Sequence, residues 1–204
     1  MNDPGGKDSF VTHCSLLMRL RVGGPQREVA WRDFYDRYAP MIGGFARKMG
    51  AKPPEIADVI HDVLLGFFRV SPQFVYDPSR GRFRGYLKTC TWRVLTIHLK
   101  ERLAPDGRAL ISVDDNDILV EHAWNDIWET ERLQRAIDVA REECQQNPAR
   151  ARTFRAFTMY VLLERSADDV ARELSISVAS VHQAKSRISR LIKQTMQEMD
   201  DTVG

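Results

Sequence analysis

The sequence has only three cysteines, and this shortage argues against two classes of small stabilised protein. Cys14, Cys90 and Cys144 lie far apart and have no paired spacing. A disulfide framework and a cysteine-based zinc site both need a recognisable set of spacings, so the pattern argues against either one. We expect the three thiols to be small buried groups in a reducing compartment.

Long apolar runs are also missing. No stretch reaches the roughly 20 residues needed to cross a membrane. Residues 1–8 are polar and glycine-rich, unlike a secretory signal. The sequence therefore predicts a cytoplasmic protein with no membrane anchor and no membrane partner.

A large excess of charge of either sign is absent as well. The formal net charge of +2 at pH 7 does not by itself indicate a nucleic-acid binder. The charges are unevenly placed, however, so a nucleic-acid interface has to be argued from their positions. With 43% hydrophobic residues among 204, the chain is expected to fold as one large domain or two small ones.

Strand-like alternation and internal repeats are missing, whereas apolar residues recur every three or four positions along most of the chain. This periodicity predicts an all-α fold. The first apolar stripe runs from Trp31 to Met49, and Pro40 is expected to kink or divide its helix. A second helix is predicted from Pro53, whose ring suits the first helical position, to just before Pro72.

A third helix is predicted after a loop at residues 71–81 that is rich in proline and aromatic side chains. It starts at Phe83 and stops near Pro105. Its apolar stripe is expected at Phe83, Leu87, Cys90, Val94 and Ile97. Together the three helices predict an N-terminal helical domain.

An acidic stretch separates this domain from the C-terminal part of the chain. Its acidic residues are Asp114, Asp115, Asp117, Glu121, Asp126, Glu129 and Glu131. Because they have almost no counter-charge, we interpret residues 104–130 as a linker. Trp124, Ile127 and Trp128 predict the start of a further helix, which could pack on either neighbour. The C-terminal part restarts at Asn147, a helix cap followed by proline.

Residues 168–184 have the pattern of a helix-turn-helix. The small side chain of Ala171 lets two helices approach, and a little core between them is expected from Val170, Leu174, Ile176, Val181 and Ala184. Ser175 stands at the turn position where glycine is usual. Ser177 is expected to cap the second helix of the pair.

The second helix of this pattern has a polar and basic face without acidic side chains. Short or amide side chains near its start suit base edges, and the cations further on suit phosphates. The expected DNA-binding residues are Ser177, Ala179, Ser180, His182, Gln183, Lys185, Ser186, Arg187 and Arg190. The alternative is an amphipathic helix in an ordinary bundle.

The order of these parts resembles a known family. The stretch Ala57–Val63, the aromatic loop and Phe83–Leu87 are similar to region 2 of bacterial RNA polymerase sigma factors, and the helix-turn-helix falls where sigma region 4 belongs. Residues 12–21 further resemble the lead-in of extracytoplasmic-function factors that are common in planctomycetes. The resemblance implies a lead-in at 1–25, region 2 at 26–103, the acidic linker at 104–130 and region 4 at 131–200.

The resemblance also implies the function and the partners. Such a protein directs DNA-templated transcription initiation, is not an enzyme, and needs no cofactor and no metal. Its partners would be core RNA polymerase and promoter DNA, with an anti-sigma factor or another regulator as a further class.

Two groups of site residues in the first domain follow from the resemblance. The second helix would bind core polymerase through the residues Glu55, Asp58, His61 and Asp62, although the family commonly has glutamine where His61 stands. The loop and third helix would bind the minus-ten region of the promoter through the residues Phe74, Tyr76, Asp77, Arg82, Arg84, Lys88, Trp92 and Arg93. Cations track phosphates and aromatic rings hold unstacked bases, although Phe74 could equally belong to the core.

Two other functions compete with this interpretation. A helix-turn-helix regulator with an N-terminal partner-binding domain would bind duplex DNA alone. A metal-dependent phosphohydrolase could use adjacent His61 and Asp62, but it would need further ligands, for which His98 and His122 are the distant candidates.

Overall fold

The described part of the chain consists of helices and turns. A computed structural model describes residues 13–75, 77, 83–103 and 117–201, and these residues contain no strand. This confirms the predicted all-α fold. The helices are α1 (His13–Arg21), α2 (Pro25–Lys48), α3 (Pro53–Val70), α4 (Phe83–Leu103), α5 (Asp117–Gln145), α6 (Pro148–Phe157), a π-helical segment (Thr158–Leu162), α7 (Ala167–Leu174) and α8 (Val178–Asp201).

Two compact units divide the chain between residues 131 and 132, within α5. The first unit holds α1 to α4 and the first half of α5. Its core is built around rings from three different helices: Phe34 stacks on Phe67 at 4.7 Å between ring centroids, and Phe83 lies 5.5 Å from Phe67. All three rings are buried, so α2, α3 and α4 share one apolar centre.

Pro40 does not divide the first long helix, contrary to one of the two sequence expectations. α2 continues on both sides of it from Pro25 to Lys48. A proline inside a helix costs about 3 kcal/mol, but Met41, Ile42 and Phe45 beyond it are buried in the core of the first unit. Their burial offsets the lost hydrogen bond, so the helix persists.

Two glycines on α2 let neighbouring helices approach closely. A Cβ atom added at Gly43 would lie 3.0 Å from Cδ1 of Ile60 on α3, and one at Gly44 would lie 3.2 Å from Cγ2 of Ile127 on α5. Both distances are shorter than ordinary contacts between carbon atoms. The glycine pair therefore permits tight packing of α3 and α5 against α2.

The second half of the predicted linker is helical and belongs to the first unit. Val120, Ala123, Trp124 and Trp128 of α5 are buried there, and the Trp124 ring lies 5.2 Å from Phe45. Their spacing of three and four residues places one apolar stripe beneath an acidic exposed face. The linker interpretation therefore has to be corrected for residues 117–130, while residues 104–116 lie outside the described part of the chain.

The lead-in also contributes to the first core. Leu16, Leu17 and Leu20 of α1 are buried, and Arg19 forms an ion pair with Asp33 of α2 at 3.1 Å. The structure thus places residues of the predicted lead-in inside the first unit.

The apolar stripe of α4 differs from the predicted one. Phe83 and Leu87 are buried as expected, but Cys90 and Val94 are half-buried and Ile97 is 56% exposed. The buried stripe continues instead through Thr91, Leu95 and Leu99. Thr91 can be buried because its hydroxyl donates to the Leu87 carbonyl at 2.8 Å, which satisfies the polar group within the helix.

The second unit has two adjoining clusters of buried side chains. One joins the second half of α5 to α6 and α8 through Ile137, Cys144, Phe154 and Ile188, so Cys144 is buried as predicted. The other lies between the π-helical segment, α7 and α8. The Asn147 side chain accepts hydrogen bonds from Ala149 and Arg150, which confirms the predicted cap of α6.

Candidate partner-binding and nucleic-acid-binding surfaces

α7 and α8 are joined by a short turn whose caps come from serine side chains. The Ser166 hydroxyl accepts from the Asp169 amide at 3.1 Å and caps α7. Ser175 follows α7 in the left-handed conformation, with φ 50° and ψ 50°. The Ser177 hydroxyl accepts from the Ser180 amide at 3.1 Å, which confirms the predicted cap of α8. Ser175 thus adopts the conformation that explains why glycine is usual at such a turn.

Arg152 of α6 fixes this turn and was not found from the sequence. Its guanidinium donates to the carbonyl of Leu174, the last residue of α7, and to the carbonyl of Ser175 at 3.4 Å. The final carbonyls of a helix have no partners within it, so Arg152 satisfies groups that would otherwise be open. No local pattern could reveal a contact between residues 22 positions apart.

α8 separates a buried face from a polar one, as predicted. Val170, Leu174 and Val181 fill the little core together with Ala156 and Met159, which precede the turn. Ser180 is half-buried. The other expected DNA-binding residues are all exposed, and they are Ser177, Ala179, His182, Gln183, Lys185, Ser186, Arg187 and Arg190.

The π-helical segment places a tyrosine beside this polar face. The Tyr160 ring packs edge-on against His182 at 5.4 Å, and Nζ of Lys185 lies 5.7 Å above the same ring. Tyr160 could not be found from the sequence, because the residues around it show only an ordinary helical pattern and no sign of a π-helical turn. The contact holds two of the expected DNA-binding side chains near the start of α8.

Two of the expected polymerase-binding carboxylates on α3 are tied to α4. Glu55 accepts from the Lys52 amide at 2.6 Å at the start of α3, and it pairs with Arg102 at 2.8 Å. Asp62 lies 2.9 Å from Nε2 of His98. The remaining two expected residues, Asp58 and His61, are exposed.

One contact in the structure involves residues that the phosphohydrolase alternative requires. His98 does approach Asp62, whereas His61 and His122 are exposed. Among the residues that the structure describes, no group of three His, Cys, Asp or Glu side chains is arranged to hold a metal ion.

Aromatic rings gather where α3 ends and α4 begins. Phe74 is half-buried and lies 5.3 Å from Phe67 and 5.1 Å from Tyr86. Burial, followed by the neighbouring Cys90, raises the pKa of Tyr86 to about 12, so this phenol stays neutral. Asp77 is half-buried, and the expected promoter-binding residues Tyr76 and Arg82 lie outside the described residues.

The predicted promoter-binding side chains of α4 point to two different sides of the helix. Arg84 donates to Oδ1 of Asn125 and lies 4.9 Å from the Trp128 ring, while Lys88 pairs with Glu121. These three contacts all face α5. The hydrogen bond from Lys88, together with the charges of Lys88 and Arg84, lowers the pKa of the Glu121 carboxyl.

Arg93 lies on the opposite, exposed side of α4, beside the exposed Thr89, Ile97 and Lys100. Trp92 does not belong to a nucleic-acid surface: it is only 8% exposed and packs against Phe45 at 6.4 Å. The sequence expectation for Trp92 is corrected for this reason, because a ring enclosed in the core has no face available to a base.

The fold and these surfaces are those of an all-α protein that combines an acidic helix, an aromatic loop and exposed cations. Residues 34–103 match the family model of Sigma-70 region 2. The match covers α3, α4 and most of α2, so this part of the chain is similar to region 2 of sigma-70 factors. Proteins of the sigma-70 family are transcription initiation factors.

No curated protein shows a significant match to the chain. None of the described helices combines the length and the apolar character that crossing a membrane requires.

Proposed function

We propose that the chain is an RNA polymerase sigma factor of the two-domain extracytoplasmic-function kind, similar to those common in planctomycetes. One observation carries the proposal: a match to sigma-70 region 2 over α2 to α4 occurs in the same chain as α7 and α8, which are joined by a capped turn and expose a basic face. Its proposed location is the cytoplasm, where core polymerase is found, and an anti-sigma factor or another regulator is a proposed further partner.

The first unit is proposed to bind core polymerase through α3. Asp58 and His61 are exposed on its polar side, whereas the apolar residues Val59 and Val63 face the core. Glu55 and Asp62 add negative charge but also hold Arg102 and His98 of α4. Electrostatic complementarity at such a surface would set the register and raise the association rate.

The same unit is proposed to open the minus-ten region by binding energy alone. The rings of Phe74 and Tyr86 lie at the loop, with Tyr86 37% exposed. Exposed Arg93 offers positive charge to a phosphate. Stacking of an unpaired base on an aromatic ring stabilises separated strands, so no hydrolysis is needed.

The second unit is proposed to read the minus-thirty-five element with α8. Gln183 near the start of the helix can form two hydrogen bonds with a base edge. Arg187 and Arg190 lie further along the exposed face, where cations meet phosphates. A shallow cavity of about 200 Å³ beside Gln183 and Arg187 separates this face from α6.

A pull-down with purified core RNA polymerase tests the proposal. The tagged chain should retain core polymerase, and Asp58→Lys should retain less of it than the exposed-site control Glu142→Lys in the second unit. Binding of duplex DNA by the chain alone, with no retention of core polymerase, would instead support a helix-turn-helix regulator.

A further inference from the structure

The acidic first half of α5 supplies counter-charges to Lys88 and Arg84, two cations that the resemblance to sigma region 2 implies for promoter binding. Between Asp117 and Glu131 the sequence has no lysine or arginine. Glu121 and Asn125, one helical turn apart, accept hydrogen bonds from Lys88 and Arg84. The Trp128 ring lies 4.9 Å from the same arginine, so three successive positions on one face of α5 enclose the two cations.

The helix that contributes these contacts, α5, is anchored in the first unit. Trp124 is 1% exposed and Trp128 is 7% exposed, so α5 is held in the core of the first unit. The side chains at its surface are more accessible: 49% of the Glu121 side chain and 26% of the Lys88 side chain are exposed. An anion from solution can therefore reach this pair by displacing one carboxylate side chain, without removing the helix.

We propose that the Glu121 carboxylate is an internal competitor for a DNA phosphodiester at Lys88 and Arg84, and that it restrains binding to DNA of arbitrary sequence. This inference rests on the proposed function. Carboxylate and phosphate are alternative anionic partners for the same lysine and arginine groups. The lowered pKa of Glu121 fits a carboxylate held ionised by these cations.

The competition would act mainly on affinity that carries no sequence information. Binding to DNA of arbitrary sequence is almost wholly electrostatic, whereas base contacts supply specificity. A carboxylate that neutralises two cations therefore lowers the electrostatic part of the affinity, and it leaves the base contacts that supply specificity unchanged.

The test uses the full chain and a fluorescein-labelled DNA duplex of random sequence, with binding followed by fluorescence anisotropy over a series of salt concentrations. Glu121→Gln should bind more tightly than the unchanged chain. The matched control is Asp126→Asn, which makes the same change of charge on α5 but breaks an ion pair with Lys48 of α2 at 2.6 Å. Any gain common to both variants comes from net charge alone.

We expect Glu121→Gln to exceed this control by roughly two- to fivefold in affinity, the range of an exposed ion pair. Its salt dependence should be steeper, by up to about 0.9 in the logarithmic slope for one additional phosphate contact. The gain should disappear when Lys88→Ala and Arg84→Ala are added. Circular dichroism checks that each variant keeps its helical content.

Equal affinities of Glu121→Gln and Asp126→Asn would overturn the inference. So would a gain that persists without Lys88 and Arg84, or the absence of measurable DNA binding in every variant. The core polymerase pull-down separates this failure from failure of the proposed function. If the unchanged chain retains core polymerase while Glu121→Gln behaves like its control, only the competition is excluded.

Discussion

Oδ2 of Asp62 on α3 lies 2.9 Å from Nε2 of His98 on α4. A second pair, Glu55 with Arg102, joins the start of α3 to the end of α4, about one turn further along α4 than His98. Asp58 lies between them in sequence and forms no ion pair within the described part of the chain. The acidic side of α3 therefore contains two carboxylates that hold the helix pair together and one that is available to a partner.

Charge reversal at Asp58 should weaken binding to core polymerase without unfolding the first unit. We expect Asp58→Lys to lower the affinity about fivefold, which corresponds to roughly 1 kcal/mol for an exposed charge contact. The substitution should act mainly by lowering the association rate constant, and its effect should be smaller at high salt. Surface plasmon resonance with immobilised core polymerase measures both. An affinity equal to that of Glu142→Lys would remove Asp58 from the interface.

Removal of the Trp124 side chain should destabilise the first unit. Trp124→Ala creates a cavity next to Phe45 and should cost about 3–5 kcal/mol of unfolding free energy. Ile118→Ala, at a position on the same helix that is 76% exposed, should change stability by less than about 0.5 kcal/mol. Urea denaturation followed by circular dichroism compares the two. Similar unfolding midpoints would support the original interpretation of residues 117–130 as a linker.

Glycine at the turn between α7 and α8 should stabilise the second unit. Ser175 has a positive φ of 50°, which costs a side-chain-bearing residue about 1 kcal/mol relative to glycine. Ser175→Gly should therefore raise the unfolding midpoint. Ser186→Gly makes the same chemical change in the middle of α8, where it should cost about 0.5 kcal/mol. Thermal unfolding shows whether each variant is more or less stable than the unchanged chain. A loss of stability in both variants would contradict the strain at Ser175.

The polar face of α8 should contain two functionally different kinds of residue. Gln183→Ala should change the preferred upstream sequence, at about 1–3 kcal/mol for the favoured base. Arg190→Ala should weaken binding to all sequences alike and flatten the salt dependence. Selection of bound DNA from a randomised library, carried out with core polymerase present, separates these outcomes. An unchanged preference profile for Gln183→Ala would show that the promoter is read elsewhere.

The elements predicted best are those whose determinants are local. α3 has an apolar stripe between two prolines, and the turn at Ser175 and the cap at Ser177 follow from residues a few positions away. The face of α8 that carries Gln183 was predicted for the same reason, because an uninterrupted helical period assigns every side chain to one side or the other.

The elements predicted less well depend on contacts between distant residues. Nothing near Arg84 in the sequence indicates Asn125, and nothing near Arg152 indicates Leu174. The side of α4 that is buried was misassigned because Thr91 behaves as an apolar residue once its hydroxyl is satisfied by the backbone. Trp124 and Trp128 did predict a helix that packs on a neighbour, but the acidic composition favoured a linker at residues 117–130, because a charged exposed face outnumbers a narrow apolar stripe.

Transcription reconstituted from purified core polymerase tests the central claim most directly. Core polymerase is incubated with templates whose upstream region is randomised, with and without the chain, and the transcripts are sequenced. If the chain is a sigma factor, new start sites should appear that need both proteins and share two separated upstream elements. Start sites that do not depend on the chain, or enrichment of one duplex motif by the chain in the absence of core polymerase, would contradict it.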